Sequence, residues 1–273
     1  MGTETGGFSR SWEGIGDTQS SRLLTLGTGS ILMGQRRSAP GYLLLSGKER
    51  ILLDAGPGSL LRLHQAGIHP GTLTRVLLSH FHPDHHGDLL GLLFLRKSPA
   101  LAGGLGRLPI HGPPGLRDLL ERWFDLYGTW IRDPSLEIRE VPEGWSELGR
   151  WRLCAFPAKH TRSSYCYRLE TDGGRSLAYS GDSESCDGLV EACMDAGLAL
   201  IECSFPDELA VAGHMCPRRV HCLLEEARPR RAGLTHFYPP MEDLLMDREA
   251  WSSLWSDLDT EVEALDDLRE LVL

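Results

Sequence analysis

The chain has 273 residues, 41% of them hydrophobic and 24% charged, so it holds enough apolar material for a sizeable core. Its formal net charge of −10 argues against broad adhesion to a phosphate backbone, and no stretch approaches the roughly 20 uninterrupted apolar residues that span a bilayer. Seven cysteines, odd in number and without C-x-x-C spacing, argue against a disulfide framework and for a reducing, cytoplasmic setting.

Residues 1–20 are polar and lack the apolar core of a secretory signal; they read as a disordered leader ahead of one domain over residues 21–273. Residues 23–26 form an apolar strand that enters the turn Gly27-Thr28-Gly29, whose glycine spacing is too short for a phosphate cradle. Arg36 and Arg37 beyond it read as a solvated loop pair. Residues 41–45 and 50–54 are two strands with a hairpin-like connection, and 59–66 is a short helix. His64 and His69 have no partner at ligand spacing and read as surface histidines.

The densest chemistry lies in Ser79-His80-Phe81-His82-Pro83-Asp84-His85-His86-Gly87, where H-x-H-x-D-H puts three imidazoles and a carboxylate within six positions. Packing does not call for such a cluster, and these are the borderline-soft ligands that zinc prefers. Residues 75–79 read as a buried strand that delivers the histidines at its end, and a helix pattern begins near His85. On that strand-to-helix turn His80 and His82 face one ion, Asp84 and His85 a second.

Further along, 99–107 is a glycine-rich loop, 108–111 a strand ending on His111, and a helix runs to about Tyr127. Trp123, Phe124, Tyr127, Trp130 and Trp145 read as core and rim packing rather than a base-stacking platform. Strands follow at 136–141 and 151–156, the second leading to His160, and another at 175–180 leads to Asp182, which alone reads as a turn or helix-capping residue before a helix over 186–196. Residues 198–205 are a buried strand in which Glu202 needs a polar partner. A helix over 217–227, a strand ending on His236, an amphipathic helix over 241–254 and closing strands at 261–265 and 268–273 complete the chain.

The histidine motif resembles the signature of the metallo-β-lactamase superfamily, and the later segments resemble its ribonuclease Z-like branch. Residues 160–170 are similar to the family's H-T-x-x-S-x-G-Y-R-x-E, with Cys166 in place of the glycine; Tyr179-Ser180-Gly181-Asp182-Ser183 to Y-S-G-D-T; Glu202-Cys203-Ser204-Phe205 to E-x-S/T-F; and Leu234-Thr235-His236 to L-T-H. Gly213-His214 stands where that branch has its G-H pair, with Cys216 in place of a threonine, and plain lactonase-like members generally lack a counterpart of His214. The resemblance implies an α/β fold, a four-layer αββα sandwich. It implies Asp54 as a buried support for the ligands, the Gly27-Thr28-Gly29 turn beneath them, and two Zn2+ ions, with Mn2+ or Fe2+ as alternatives. The first ion takes His80, His82 and His160, the second Asp84, His85 and His236, and Asp182 bridges them.

The expected function is therefore a phosphodiesterase using a metal-bridging hydroxide, with Asp84 orienting the nucleophile and His214, held by Glu202, protonating the leaving oxygen. A small phosphodiester or an RNA 3′ end is the expected substrate, with no membrane partner and a homodimer left open. Only a hairpin lies between His160 and Asp182, so a protruding RNA-binding arm there is not expected. The alternative is an arylsulfatase- or lactonase-like hydrolase, which the G-T-G-S turn and the later R-R-x-A-P-G segment resemble; a non-catalytic metal-binding scaffold is the third reading.

Overall fold

In a computed structural model the described residues are 20–32, 36–98 and 105–273. The leader expected over 1–20 lies outside them except for residue 20, as does most of the 99–107 loop.

The second strand shows why the chain builds layers. In β2 (Gly41–Ser46), Tyr42 and Leu44 enter one buried cluster while Leu43 and Leu45 enter another, so both faces are covered. β2 pairs antiparallel with β1 (Arg22–Gly27) and β3 (Glu49–Ala55), and β4 (Arg75–Leu77), β5 (Leu108–Gly112) and β6 (Leu136–Glu140) continue the sheet in parallel. β14 (Glu270–Val272) closes its other edge against β1. The second sheet begins with an antiparallel meander of β7 (Gly144–Leu148), β8 (Trp151–Pro157), β9 (Tyr165–Glu170) and β10 (Ser176–Tyr179). It continues with parallel β11 (Leu198–Glu202), β12 (Arg231–Thr235) and β13 (Glu261–Ala264).

Leu23, Ile51, Leu77, Trp151, Tyr167 and Leu200 share the cluster between the sheets. Outside the first sheet, α1 (Ser59–Gln65), α2 (Pro83–Arg96) and α3 (Leu116–Tyr127) bury Leu63, Leu89, Leu93 and Leu120 against Leu52 and Ile110. Outside the second, α4 (Asp187–Cys193) and α5 (Pro217–Ala227) bury Leu189 and Leu224 against Ala199 and Ile201. These are the four layers, αββα, expected from the sequence.

Four expectations need correction. α2 starts at Pro83 rather than near His85, because proline at the first helical position has φ already set and no N–H to leave unpaired. The helix expected over 241–254 is two short ones, α6 (Glu242–Met246) and α7 (Arg248–Ser253). They break at Asp247, which leaves helical geometry and caps Ala250 N–H. No strand was expected around Trp145, singled out only as an aromatic of the core or rim, yet it lies in strand β7. Arg37 is not a solvated loop residue: it is 7% exposed, donates to Thr28 Oγ1 and Leu265 O, pairs with Glu242 and Asp266, and lies over the Phe237 ring.

The segments after β4, β8, β10, β11 and β12 meet at one rim. Ser79 O accepts from Tyr165 N–H and Thr28 O from Phe237 N–H, so the Gly27-Thr28-Gly29 turn lies under the residue that follows His236.

Candidate metal centre

His82, extended, occupies the N-cap position of α2 without a side-chain capping bond, and Asp84 and His85 lie in the first turn, so a helical step separates them from His80 and His82, which precede the helix. That change of backbone turns the two halves of the motif to different sides. His86 faces away: its Nε2 bonds Phe81 O at 3.0 Å and its ring packs on Trp123. Two residues of the cluster, Asp54 and His236, sit at strand ends with φ of 53° and 60°. Non-glycine residues adopt that left-handed region at a cost of order 1–3 kcal/mol, and they do so mainly at functional sites.

The side chains expected from the sequence do converge. Ligand-type atoms of His80, His82, His160 and Asp182 lie within 4.8 Å of one another, and the same holds for Asp84, His85 and His236. Asp182 stands between the sets. Its Oδ2 is 3.8 Å from His80 Nε2 and 3.7 Å from His160 Nε2, while its Oδ1 is 3.1 Å from His85 Nε2 and 3.4 Å from His236 Nε2. His160 Nε2 is 3.0 Å from His82 Nδ1, and His236 Nε2 is 3.6 Å from Asp84 Oδ2.

The outer partners of these rings decide which nitrogen is left to bind something. His85 Nδ1 donates to Asp54 Oδ2 at 2.6 Å, and His160 Nδ1 donates to Gly213 O at 2.8 Å. Ser79 Oγ donates to Asp54 Oδ2 at 2.7 Å and accepts from His80 Nδ1 at 3.0 Å. Ser204 repeats the arrangement, donating to Glu202 Oε2 and accepting from His236 Nδ1 at 2.9 Å. Each neutral ring then carries its proton on Nδ1 and turns an Nε2 lone pair inward. Asp54, fully buried, also accepts from Ser79 N–H and the Tyr179 hydroxyl, which makes it the anchor of this support.

These inward atoms fit divalent cations. Among the described residues, His80 Nε2 and Asp182 Oδ1 are buried without an aligned hydrogen-bond partner, although Asp182 Oδ1 is only 3.1 Å from His85 Nε2. Lone pairs aimed at a shared point are unstable unless a proton or a cation lies among them. The protein's own charges reflect this. Burial disfavours ionised Asp182, yet His236 and His85 outweigh it and hold the carboxyl well below its ordinary range. Burial, and then the neighbouring His85, push His80 well below the usual imidazole value.

A sixth histidine completes the rim. His214 Nδ1 lies 3.1 Å from Glu202 Oε2 and 3.9 Å from Asp182 Oδ2, leaving Nε2 for another group. Burial lowers the pKa of His214, but the hydrogen bond to Glu202 and its charge raise it above the ordinary value. Glu202 is the buried acid whose partner the sequence left open, and it also accepts from Ser183 and Met215 N–H groups.

Ser79, Ser204 and Phe205 stood inside motifs quoted from the sequence but were given no role of their own, and Tyr238 had not been singled out. Phe205 and Tyr238 stack with ring centroids 4.4 Å apart and stand edge-on to His214 at 5.9 and 6.0 Å. The motifs name Ser204 and Phe205 without saying what they touch, and no local pattern marks Tyr238.

Residues 49–237 match the family model described as the beta-lactamase superfamily domain, more than half of the chain. A ribonuclease Z of Mycolicibacterium gilvum is 30% identical, the match covering 90% of this chain and 94% of that protein. The chain belongs to the metallo-β-lactamase superfamily, in its ribonuclease Z-like branch. Solved structures agree on the fold. The metallo-β-lactamase fold protein YhfI of Bacillus subtilis superposes with a TM-score of 0.79 at 22% identity, covering 94% of this chain and 100% of that one. The short form of human tRNase Z gives 0.73 at 23% identity over 92% and 98%. This metallo-β-lactamase superfamily member is a metal-dependent hydrolase, and its histidine and aspartate clusters are of the kind that bind divalent metal. Among the described residues no helix is long and apolar enough to cross a membrane.

Proposed function

We propose that this hydrolase is a binuclear zinc phosphodiesterase of ribonuclease Z type, acting on a small phosphodiester or an RNA 3′ end. The observation that carries the reading is the division of Asp182: one oxygen faces His80 and His160, the other His85 and His236. His80, His82 and His160 would hold the first cation, Asp84, His85 and His236 the second, with Asp182 shared. Bound there, two zinc ions supply Lewis acidity that makes water a nucleophile near neutral pH and offsets charge on a phosphoryl group. Mn2+ or Fe2+ would suit the same nitrogen and oxygen ligands.

The chain's own residues do the rest. Asp84, at the N-terminus of α2, orients the attacking water through its carboxylate. His214, its Nδ1 held by Glu202, has Nε2 left to deliver a proton to the leaving oxygen. The Phe205–Tyr238 stack beside it gives a flat apolar wall against which a ring of the substrate can lie. The connection between His160 and Asp182 is the plain hairpin of β9 and β10, without an inserted arm, and the net charge is −10. Both favour a substrate gripped at the rim over one held along an extended basic track. Seven cysteines, all free, fit a cytoplasmic location.

The test is to purify the protein, measure its metal content, and assay aryl phosphodiester, aryl sulfate and lactone substrates side by side. Two metal equivalents and turnover of the phosphodiester are expected. Turnover of the sulfate or lactone alone would replace this reading with that of the corresponding ester hydrolase.

A further inference from the structure

Glu184 stands two residues beyond Asp182, and it ties together the loops that carry His160 and His214. Its N–H donates to Lys159 O at 3.0 Å while Lys159 N–H donates to Ser183 Oγ at 3.0 Å, forming a short bridge just ahead of His160. Its side chain reaches both ways. Oε2 pairs with Lys159 Nζ at 2.7 Å, and Oε1 accepts from Gly213 N–H at 2.7 Å. Gly213 in turn offers its carbonyl to His160 Nδ1 at 2.8 Å. Arg219 closes the far side, donating to His214 O at 2.9 Å and lying 3.9 Å from Glu184 Oε1. The fit around Gly213 is tight: its φ is +87°, and a Cβ there would come within 2.9 Å of His160 Nδ1.

The supports of the other rings run elsewhere. His80 and His85 are fixed through Asp54, and His236 through Ser204 and Glu202, on hydrogen bonds that do not involve Glu184. His160 alone among these four depends on a loop carbonyl for its Nδ1 partner, and that loop is held by a carboxylate at the rim.

We propose that Glu184 is a positioning residue for the first cation site: by fixing Gly213 it sets the tautomer and angle of His160 and couples that ring to the loop bearing His214. This rests on reading His160 as a ligand. Outer partners of metal-bound histidines are typically worth 10- to 100-fold in metal affinity, and here the effect falls on one site of two. The second site, with Asp84, His85 and His236, keeps its own supports.

The experiment uses the full chain in two variants, Glu184→Ala and Glu184→Gln. Two quantities are read: exchange of the Gly213 amide hydrogen in metal-free protein, and zinc affinity of each site by chelator competition. Glu184→Ala is expected to speed Gly213 exchange about tenfold or more, since the amide loses its acceptor. It is also expected to weaken the first site by about 10- to 100-fold with the second unchanged. Glu184→Gln keeps an acceptor for Gly213 but loses the charge beside Lys159, so its loss is expected to be measurable yet smaller, under about tenfold; this near-isostere carries the test should the alanine variant not fold. Unchanged exchange and unchanged first-site affinity would overturn the proposal, as would equal weakening of both sites. Wild-type protein that takes up no zinc would instead sink the metal-site reading on which it rests.

Discussion

Ser204 Oγ lies 2.9 Å from His236 Nδ1 and gives its own proton to Glu202, so a serine with no charge and no lone chemistry decides which nitrogen of His236 faces the site. Ser204→Ala removes that acceptor while leaving a cavity smaller than a water. The expected result is a second site about 10- to 100-fold weaker for zinc, with the first site little changed. Chelator competition checks it, and equal affinities in wild type and variant would show that His236 needs no such support.

His214 and Glu202 form a dyad beside the two proposed ligand sets, with His214 Nδ1 3.1 Å from Glu202 Oε2. His214→Ala should keep its metal, measured by elemental analysis, while phosphodiester turnover falls by about 10² to 10⁴. Unchanged turnover would remove His214 from the reaction.

His111 offers a prediction independent of the site. It is 4% exposed in β5 with Nε2 unpartnered, and burial, reinforced by Arg139 and Arg75, pushes its pKa down to about 4. A base whose folded pKa lies below its unfolded value binds fewer protons when folded. The stability it contributes is therefore complete above about pH 6.5, is lost as pH falls, and stops changing near pH 4, a loss of about 3 kcal/mol. Compared with wild type, His111→Leu should show an acid limb shallower by that amount in urea unfolding of metal-free protein. Parallel curves for the two proteins would contradict it.

Arg36 and Arg37 are neighbours with different fates. Arg36 is exposed, whereas Arg37 is buried under Phe237 with Thr28, Glu242 and Asp266 around it. Arg37→Ala is expected to cost about 2 kcal/mol, the scale of a lost charge-assisted hydrogen bond, discounted because Asp266 is mostly exposed. Arg36→Ala should leave thermal unfolding within about 0.5 kcal/mol of wild type. Equal effects would mean that the buried network contributes nothing.

What could be read from the chain follows how local each signal is. His80, His82, Asp84 and His85 are packed into one turn, so their spacing alone suggested two ligand sets. His160, Asp182 and His236 are single residues at the ends of apolar strands, and only family likeness singled them out before the folded chain brought them within reach of Asp182's two oxygens. Ser79, Ser204 and Glu184 act through partners 25, 32 and 29 positions away, and a lone serine or glutamate carries no periodicity to announce that. Strand β7 escaped because Gly144-Trp145-Ser146 looks like a loop until β8 supplies its antiparallel partner. The helix expected over 241–254 followed the apolar period correctly on both sides of Asp247, but the period cannot show that the backbone turns there.

Diffraction from zinc-loaded crystals, recorded on both sides of the zinc absorption edge, tests the central claim most directly. The account predicts two anomalous peaks about 3.5 to 4 Å apart, one beside Asp182 Oδ2 among His80, His82 and His160, the other beside Oδ1 among Asp84, His85 and His236. A single peak, or none within reach of Asp182, would contradict it.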